Sequence, residues 1–398
     1  MGKLLFRPYN FFATLFIFVS VALLGLILIN TSPVDPFENA VKDFDYTDIL
    51  YSKIRSRQNL LDTNIVLVSI DTLKRGGIAQ ELEIIDQFKP RVVGLDVIFE
   101  QRKEPLSDSL LKTALNNTAS LVMAGYAEEN EKGGIKKFKV SNPYFGKYDF
   151  GHVNLSGANP QTTTIRTFTP LLEMKGKEIR SFSAEILRLY DSSASRKLLR
   201  YKDKPVIINY TGNYSSFICF RSGDILKKGA NLARIKDKIV LVGNFYPDSL
   251  NLSLEDKFFT PLNSEIGGRS WPDMHGIVIH ANIISMALKD NFIHIIPMWI
   301  GVLIAFLVCY LHIAFFLYFY VEKHKWFFLL AKAVQLFTLV LIIYVVFLLY
   351  EHLNIRYEST LLIVVLILSV DLLYFYNEVV KILNRWFGMK SYLLSKHN

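Results

Sequence analysis

The chain has 398 residues, 51% of them hydrophobic, with 30 Phe and 20 Tyr, which is too apolar for an ordinary soluble protein. The formal charge is +9, but the basic residues are not massed on one segment, so no nucleic-acid partner is expected. The two cysteines, Cys219 and Cys309, sit in no Cys-x-x-Cys or His-rich setting, so neither a disulfide framework nor a metal centre is expected, and no cofactor is implied.

In chain order, the first element is an apolar run at 11–29, close to the 20 or so residues that a membrane-spanning helix needs. It follows a short tail, 1–10, with Lys3 and Arg7. No small-residue cleavage pattern follows it in "LILINTSP", so it reads as an uncleaved anchor rather than a signal peptide.

Residues 30–296 then read as one α/β domain. "NIVLVSID" (64–71) and "PRVVGLDVIF" (90–99) have the continuous apolar character of strands buried on both faces. "AQELEIIDQFK" (79–89) between them has helical spacing. The unit repeats as helix "DSLLKTALNN" (108–117) and strand "SLVMAGY" (120–126). The basic run "KGGIKKFKV" (132–140) reads as a solvated hairpin or loop. Beyond it lie a helix at 180–191, strands at 204–212 and 237–245, and a last helix at 278–290. Alternating strands and helices predict a mostly parallel sheet.

Three further apolar runs follow, at 297–319, 326–349 and 360–376, and then a basic tail, 377–398. Lys323 and Lys325 lie in one loop, and Lys381, Arg385, Lys390 and Lys396 in the tail. Basic residues favour the cytoplasmic side. Four spans with both termini in the cytoplasm satisfy all of these segments, and residues 30–296 are then extracytoplasmic. Inside the spans stand the ionisable side chains His312, Lys332 and Asp371. Intramembrane ionisable groups usually pair, so Asp371 is expected to bind Lys332 or His312.

The ordered series "IVLVSID", "VVGLDVIF", "FGHVNLS", "TIRTFTPLL", "FSAEIL", "INYTG", "KIVLVGNF", "EDKFFTPL" and "HGIVIHANII" resembles the CHASE type 2 domain, an extracytoplasmic sensory domain of bacterial membrane receptors. The likeness covers about residues 35–296 and extends to the architecture of one span, the domain, then three spans. The family's V-G-x-D strand falls on Val93, Gly94 and Asp96, its D-x-F-x-T-P element on Asp256, Phe258, Thr260 and Pro261, and its G-x-x-x-H-A-N element on Gly276, His280, Ala281 and Asn282. The family's D-x-D-G turn is absent, and "GANPQTTTIR" stands in its place. Such receptors usually continue into a cytoplasmic output domain. Here only the short tail follows the last span, so the resemblance implies signalling to a separate partner protein.

Ligands of open parallel sheets bind at the carboxyl ends of the strands. Asp71, Asp96 and Asn244 fall there. Together with Asp256 and Thr260 of the family motif they form the candidate ligand-binding rim, while Gly94, Pro261, Gly276, His280 and Asn282 are expected to be structural. His275 and His280 are five residues apart, a spacing that puts them on different sides of a helix or strand. His275 is therefore expected in the loop before the last helix and His280 as a buried, hydrogen-bonded core histidine. No nucleophile motif or phosphate loop is present, so catalytic residues are not expected. The reading is a membrane-anchored sensor, for which the resemblance to such receptors implies a homodimer. The alternative is a structural or regulatory subunit of an envelope complex, its domain binding protein rather than a small ligand.

Overall fold

The computed structural model describes residues 8–29, 48, 61–130, 134–155, 163–227, 231–246, 256–263, 271–321 and 326–387. Lys3, Arg7, Lys323, Lys325, Lys390, Lys396, the stretch 30–47 and residues 157–162 of "GANPQTTTIR" lie outside them. The chain divides into two units, Asp43–Ile293 and the combination of Met1–Lys42 with His294–Asn398.

After helix α1 (Pro8–Ile29), the larger unit runs β1 (Asp62–Ser69), α2 (Arg75–Gln87), β2 (Val92–Asp96), α3 (Pro105–Asn117), β3 (Leu121–Glu129), β4 (Ile135–Lys139) and β5 (Asp149–His152). It continues with β6 (Thr167–Phe168), β7 (Leu171–Met174), β8 (Lys177–Arg180), α4 (Phe182–Tyr190), α5 (Ser192–Leu199), β9 (Val206–Ile207), β10 (Phe217–Arg221) and α6 (Ser222–Leu226). It ends with β11 (Ile239–Gly243), β12 (Lys257–Phe258), β13 (Met274–His275) and α7 (Gly276–Leu288).

The main sheet has the order β10-β1-β11-β2-β3-β4, with β5 also paired to β3. All its pairings are parallel except β3 with β4. The basic run is therefore the second strand of a hairpin. The stretch 204–212 contributes only β9, which pairs with β6 away from the main sheet. The strands alternate between two buried faces, as in parallel sheets covered on both sides. Val66, Val68, Val93, Leu95, Val240 and Val242 join the core beneath α2, α3 and α6. The intervening Ile65, Leu67, Val92, Ile239 and Leu241 are equally buried, on the face that α4 and α7 cover.

α4 packs closely on the sheet at Gly94. A Cβ there would lie 2.6 Å from Ile186 Cδ1 and 2.9 Å from Phe182 Cζ. Gly94→Ala is therefore expected to destabilise the domain by about 1–3 kcal/mol through overpacking. A urea unfolding midpoint unchanged from wild type would refute this.

The smaller unit holds α1, then β14 (His294–Ile295), α8 (Met298–Val321), α9 (Phe327–Leu353), β15 (Ile355–Arg356) and α10 (Thr360–Phe387). All four long helices are apolar enough to cross a membrane. α10 continues unbroken through the stretch 377–387. At about 1.5 Å per residue it is longer than a hydrocarbon core of about 30 Å requires. Ala13 and Ile17 of α1, Ile313 and Phe316 of α8, Ala331 of α9, and Val365 and Val370 of α10 share one apolar core. Polar side chains reinforce it. Gln335 Nε2 donates to the carbonyls of Leu366 and Ile367, and Ser369 Oγ donates to Leu366 O at 2.7 Å. β14 and β15 pair in parallel at one end of the bundle.

Candidate functional site at the carboxyl edge of the sheet

The strand order changes the geometry of the predicted rim. Although α2 joins β1 to β2 directly in the chain, the two strands are not paired: β11 lies between them, in register Ser69–Gly243–Asp96. The chain order of a βαβ unit fixes its strand directions but leaves room for a later strand to insert. Asp71, Asn244 and Asp96 consequently follow or end three successive strands in a row, and their side chains divide into separate groups.

Asp71 sits in a turn with φ +43°. Ser222 Oγ donates to its Oδ2 at 2.6 Å, and Ser69 Oγ lies 3.0 Å from its Oδ1. Near it is Glu81 of α2, fully buried, with neither carboxylate oxygen hydrogen-bonded. Burial first, and then the charge of Asp71, push the Glu81 carboxyl up to about 8. Sequence reading passed over Glu81. The signal was its place between Ile78 and Leu82, on the face that turns toward the sheet.

Asp96 and Asp256 form the second group. Burial raises both carboxyls, and the charge of Asp96 raises Asp256 further. Asp256 retains solvent exposure, which screens that repulsion. Gly276 belongs to this group, since a Cβ on it would lie 3.3 Å from Asp256 Oδ1, and its N–H donates to Asp256 O at 3.2 Å. Asn244, which follows β11, has its Oδ1 buried without a hydrogen-bond partner.

Thr260 is already engaged. Its hydroxyl donates to Asp273 Oδ2 at 2.6 Å and its N–H to Oδ1 at 2.8 Å. It locks the segment before α7, with Pro261 buried beside it.

His275 and His280 part company. His275 ends the short strand β13 rather than lying in a loop, and it accepts from Tyr246 N at Nε2 (3.3 Å). His280 is buried among α4 residues, with Ser183 Oγ 3.2 Å from Nδ1 and the Phe182 ring edge-on at 5.4 Å. Burial lowers the pKa of each to about 4. Asn282 does not start the helix. It stands inside α7 and ties it to the 211–212 backbone. One turn on, Ser285 Oγ donates to Asp62 Oδ2 at 2.6 Å, where Lys289 Nζ also sits at 2.9 Å. Burial would raise Asp62, but these bonds prevail and hold it low.

The open space at this edge lies beside the predicted rim. A cleft of about 780 Å³ lies at the ends of β1 and β2, and its apolar lining includes Ile70, Leu73, Val97 and Phe99. Lys74, Arg75 and Lys103 bring positive charge to it, against Glu100 and Glu104. Arg75 is fixed in place. Its Nη1 binds Asp108 at 2.5 Å, its Nη2 donates to Gln101 O at 2.6 Å, and its guanidinium lies 5.5 Å from the Phe99 ring centre and 5.3 Å from that of Phe145. Burial works against the Asp108 charge, but the bond from Arg75 lowers its pKa overall. The 97–104 loop is held from the far side, since Phe99 N donates to Ser141 Oγ and Asn142 N to Phe99 O. Arg75 and Phe99 were missed in the sequence, although "DTLKRGG" places two cations just past a strand's carboxyl end. Among the described residues, no group of three or more acidic, histidine or cysteine side chains is placed to hold a metal.

A CHASE2 family model matches residues 19–314, most of the chain. The protein therefore belongs to the CHASE2 family, whose domain is an extracytoplasmic sensory one. The match extends beyond the expected domain, 30–296, into the flanking helices. No curated protein and no solved structure matches the chain.

Proposed function

We propose that the chain is a membrane-anchored sensor whose domain, about residues 30–296, binds a small molecule in the cleft beside Arg75 and relays occupancy through its helices to a separate signalling partner. The observation that carries this is the cleft itself, which opens at the carboxyl ends of parallel strands, where such sheets bind ligands, in a chain of a sensory family. The lining suits a ligand with an apolar body and an anionic group facing Lys74 and Lys103. Binding biases the protein between two arrangements when the ligand's affinity differs between them.

The placement of basic residues supports a bacterial inner-membrane protein with both termini cytoplasmic and the domain outside. We read the protein as a non-enzymatic receptor. His280 and its neighbour Ser183 are both buried in the core, away from any substrate, and the Thr260 hydroxyl is held by Asp273.

The test is a thermal-shift screen of metabolites on the full chain in detergent, repeated on Ile98→Trp, which fills the cleft, and Lys74→Glu, which reverses its charge. A ligand that raises the wild-type Tm is expected to lose at least about tenfold in affinity with each variant, a change of about 1.4 kcal/mol. A shift that persists in Ile98→Trp would place binding elsewhere. If no metabolite binds and an envelope protein co-purifies, the domain serves as a subunit of an envelope complex instead.

A further inference from the structure

Two exposed ion pairs stand on the described spanning helices: Lys381–Glu378 lies within α10 near its end, whereas Lys332–Asp371 joins α9 to α10. Gln335 and Ser369 are satisfied within the bundle, and His312 Nε2 lies 3.0 Å from Thr338 Oγ1 rather than on Asp371. The pair forms as the sequence suggested, with Lys332 Nζ 3.3 Å from Asp371 Oδ2, but it faces outward, its side chains 36% and 58% exposed. Lys332 is five residues into α9, about 8 Å along it. Asp371 is eleven residues into α10, about 17 Å from its start. Both depths fall inside a hydrocarbon layer of about 30 Å. Lipid hydrogen-bonds neither the remaining ammonium protons nor the second carboxylate oxygen, so charges at this depth need protein or water around them.

The surroundings form a face. Phe328, Lys332 and Leu336 recur at helical spacing on α9, with the ammonium 5.9 Å from the Phe328 ring centre. Ile367, Asp371 and Phe375 do the same on α10, and the four apolar members are all exposed. The face carries one positive and one negative charge at a common depth. Under a two-fold axis along the membrane normal it is complementary to itself, the condition for an isologous interface. We propose that this face binds a second copy of the chain, so that Lys332 of each copy meets Asp371 of the other and the four charges close into one neutral cluster.

The test is subunit counting of the full chain in liposomes by single-molecule photobleaching, at a range of protein densities. Wild type is expected to be dimeric. Lys332→Asp carries two negative charges and Asp371→Lys two positive ones, so each alone is expected to associate at least about tenfold more weakly. Co-reconstituted, the two variants are expected to form mixed dimers, which shows that each has folded. The double variant Lys332→Met with Asp371→Met leaves no unpaired charge and is expected to be monomeric. Wild type that stays monomeric at every density would overturn the proposal. So would a Met double variant as dimeric as wild type, or single variants that do not recover on mixing.

Discussion

Asn282→Leu is expected to destabilise the larger unit by about 3–5 kcal/mol, because it strands several buried backbone groups at once. Asn282 is fully buried inside α7. Its Oδ1 accepts from Thr211 N at 2.7 Å and from Gly212 N at 3.2 Å, while its Nδ2 donates to Gly212 O and Val278 O, both at 2.9 Å. Leucine matches the volume but offers neither donor nor acceptor. Two N–H groups and a carbonyl of the 211–212 segment then lose their partner, and each such loss costs about 1–3 kcal/mol when water cannot enter. Ser285→Ala one turn away is expected to cost less, because Lys289 and Asn64 N still bind Asp62. Urea unfolding of the full chain in detergent gives both values. A loss below about 1 kcal/mol for Asn282→Leu would mean that water or relaxed backbone replaces the amide, and the motif asparagine would then need another explanation.

The parallel core was legible because strands covered on both faces leave continuous apolar runs such as "IVLVS" and "IVLVG", and the helices between them keep a 3.6-residue period. Strand order was not legible. Nothing in "KIVLVGNF" says that it inserts between two strands whose connection closes more than a hundred residues earlier. The edge strand β10, "FICFR", is only five residues long and follows a turn started by Asn213, too short to show a period. The site was half legible for the same reason. Asp71, Asn244 and Asp96 belong to strand ends that local pattern reveals. The meeting of Asp96 with Asp256, or of Arg75 with Asp108 and Phe145, depends on loops whose paths the sequence does not set. The intramembrane pair was readable because charges are few in the spans and depth can be counted along a helix at a fixed rise. Its outward direction was not, since the rotation of α9 and α10 follows from their packing with α1 and α8.

The second large effect concerns Glu81, whose replacement by methionine is expected to stabilise the protein at alkaline pH and change little in acid. A carboxyl raised from 4.5 to about 8 binds its proton more tightly folded than unfolded. Its contribution is therefore fully present below pH 4.5 and drains away as pH climbs to about 8. The slope is about 1.4 kcal/mol per pH unit, so the whole loss is on the order of 5 kcal/mol at most, less where water enters and relaxes the site. The cause is plain in the geometry: both oxygens lack a hydrogen bond, and Asp71, itself held by Ser69 and Ser222, is the charge nearby. Asp273, raised to about 6 by burial against the bonds from Thr260, adds a loss of the same sign that is complete near pH 6, and the Asp96–Asp256 pair, raised by burial, adds to it. Methionine is close in volume and has no charge to desolvate, so Glu81→Met removes one component only. Urea midpoints at pH 5, 7 and 9 are expected to coincide with wild type within about 1 kcal/mol at pH 5 and to exceed it by about 2–4 kcal/mol at pH 9. An equal offset at all three pH values would show that Glu81 does not titrate in this range. A wild type that gains stability from pH 5 to 9 would show that its unpartnered carboxylate is accommodated in the charged form. α2, which carries Glu81, also opens the cleft with Arg75. A ligand that presses on that helix then has a buried, uncompensated group to act on, and its thermal shift is expected to depend on pH in wild type and not in Glu81→Met.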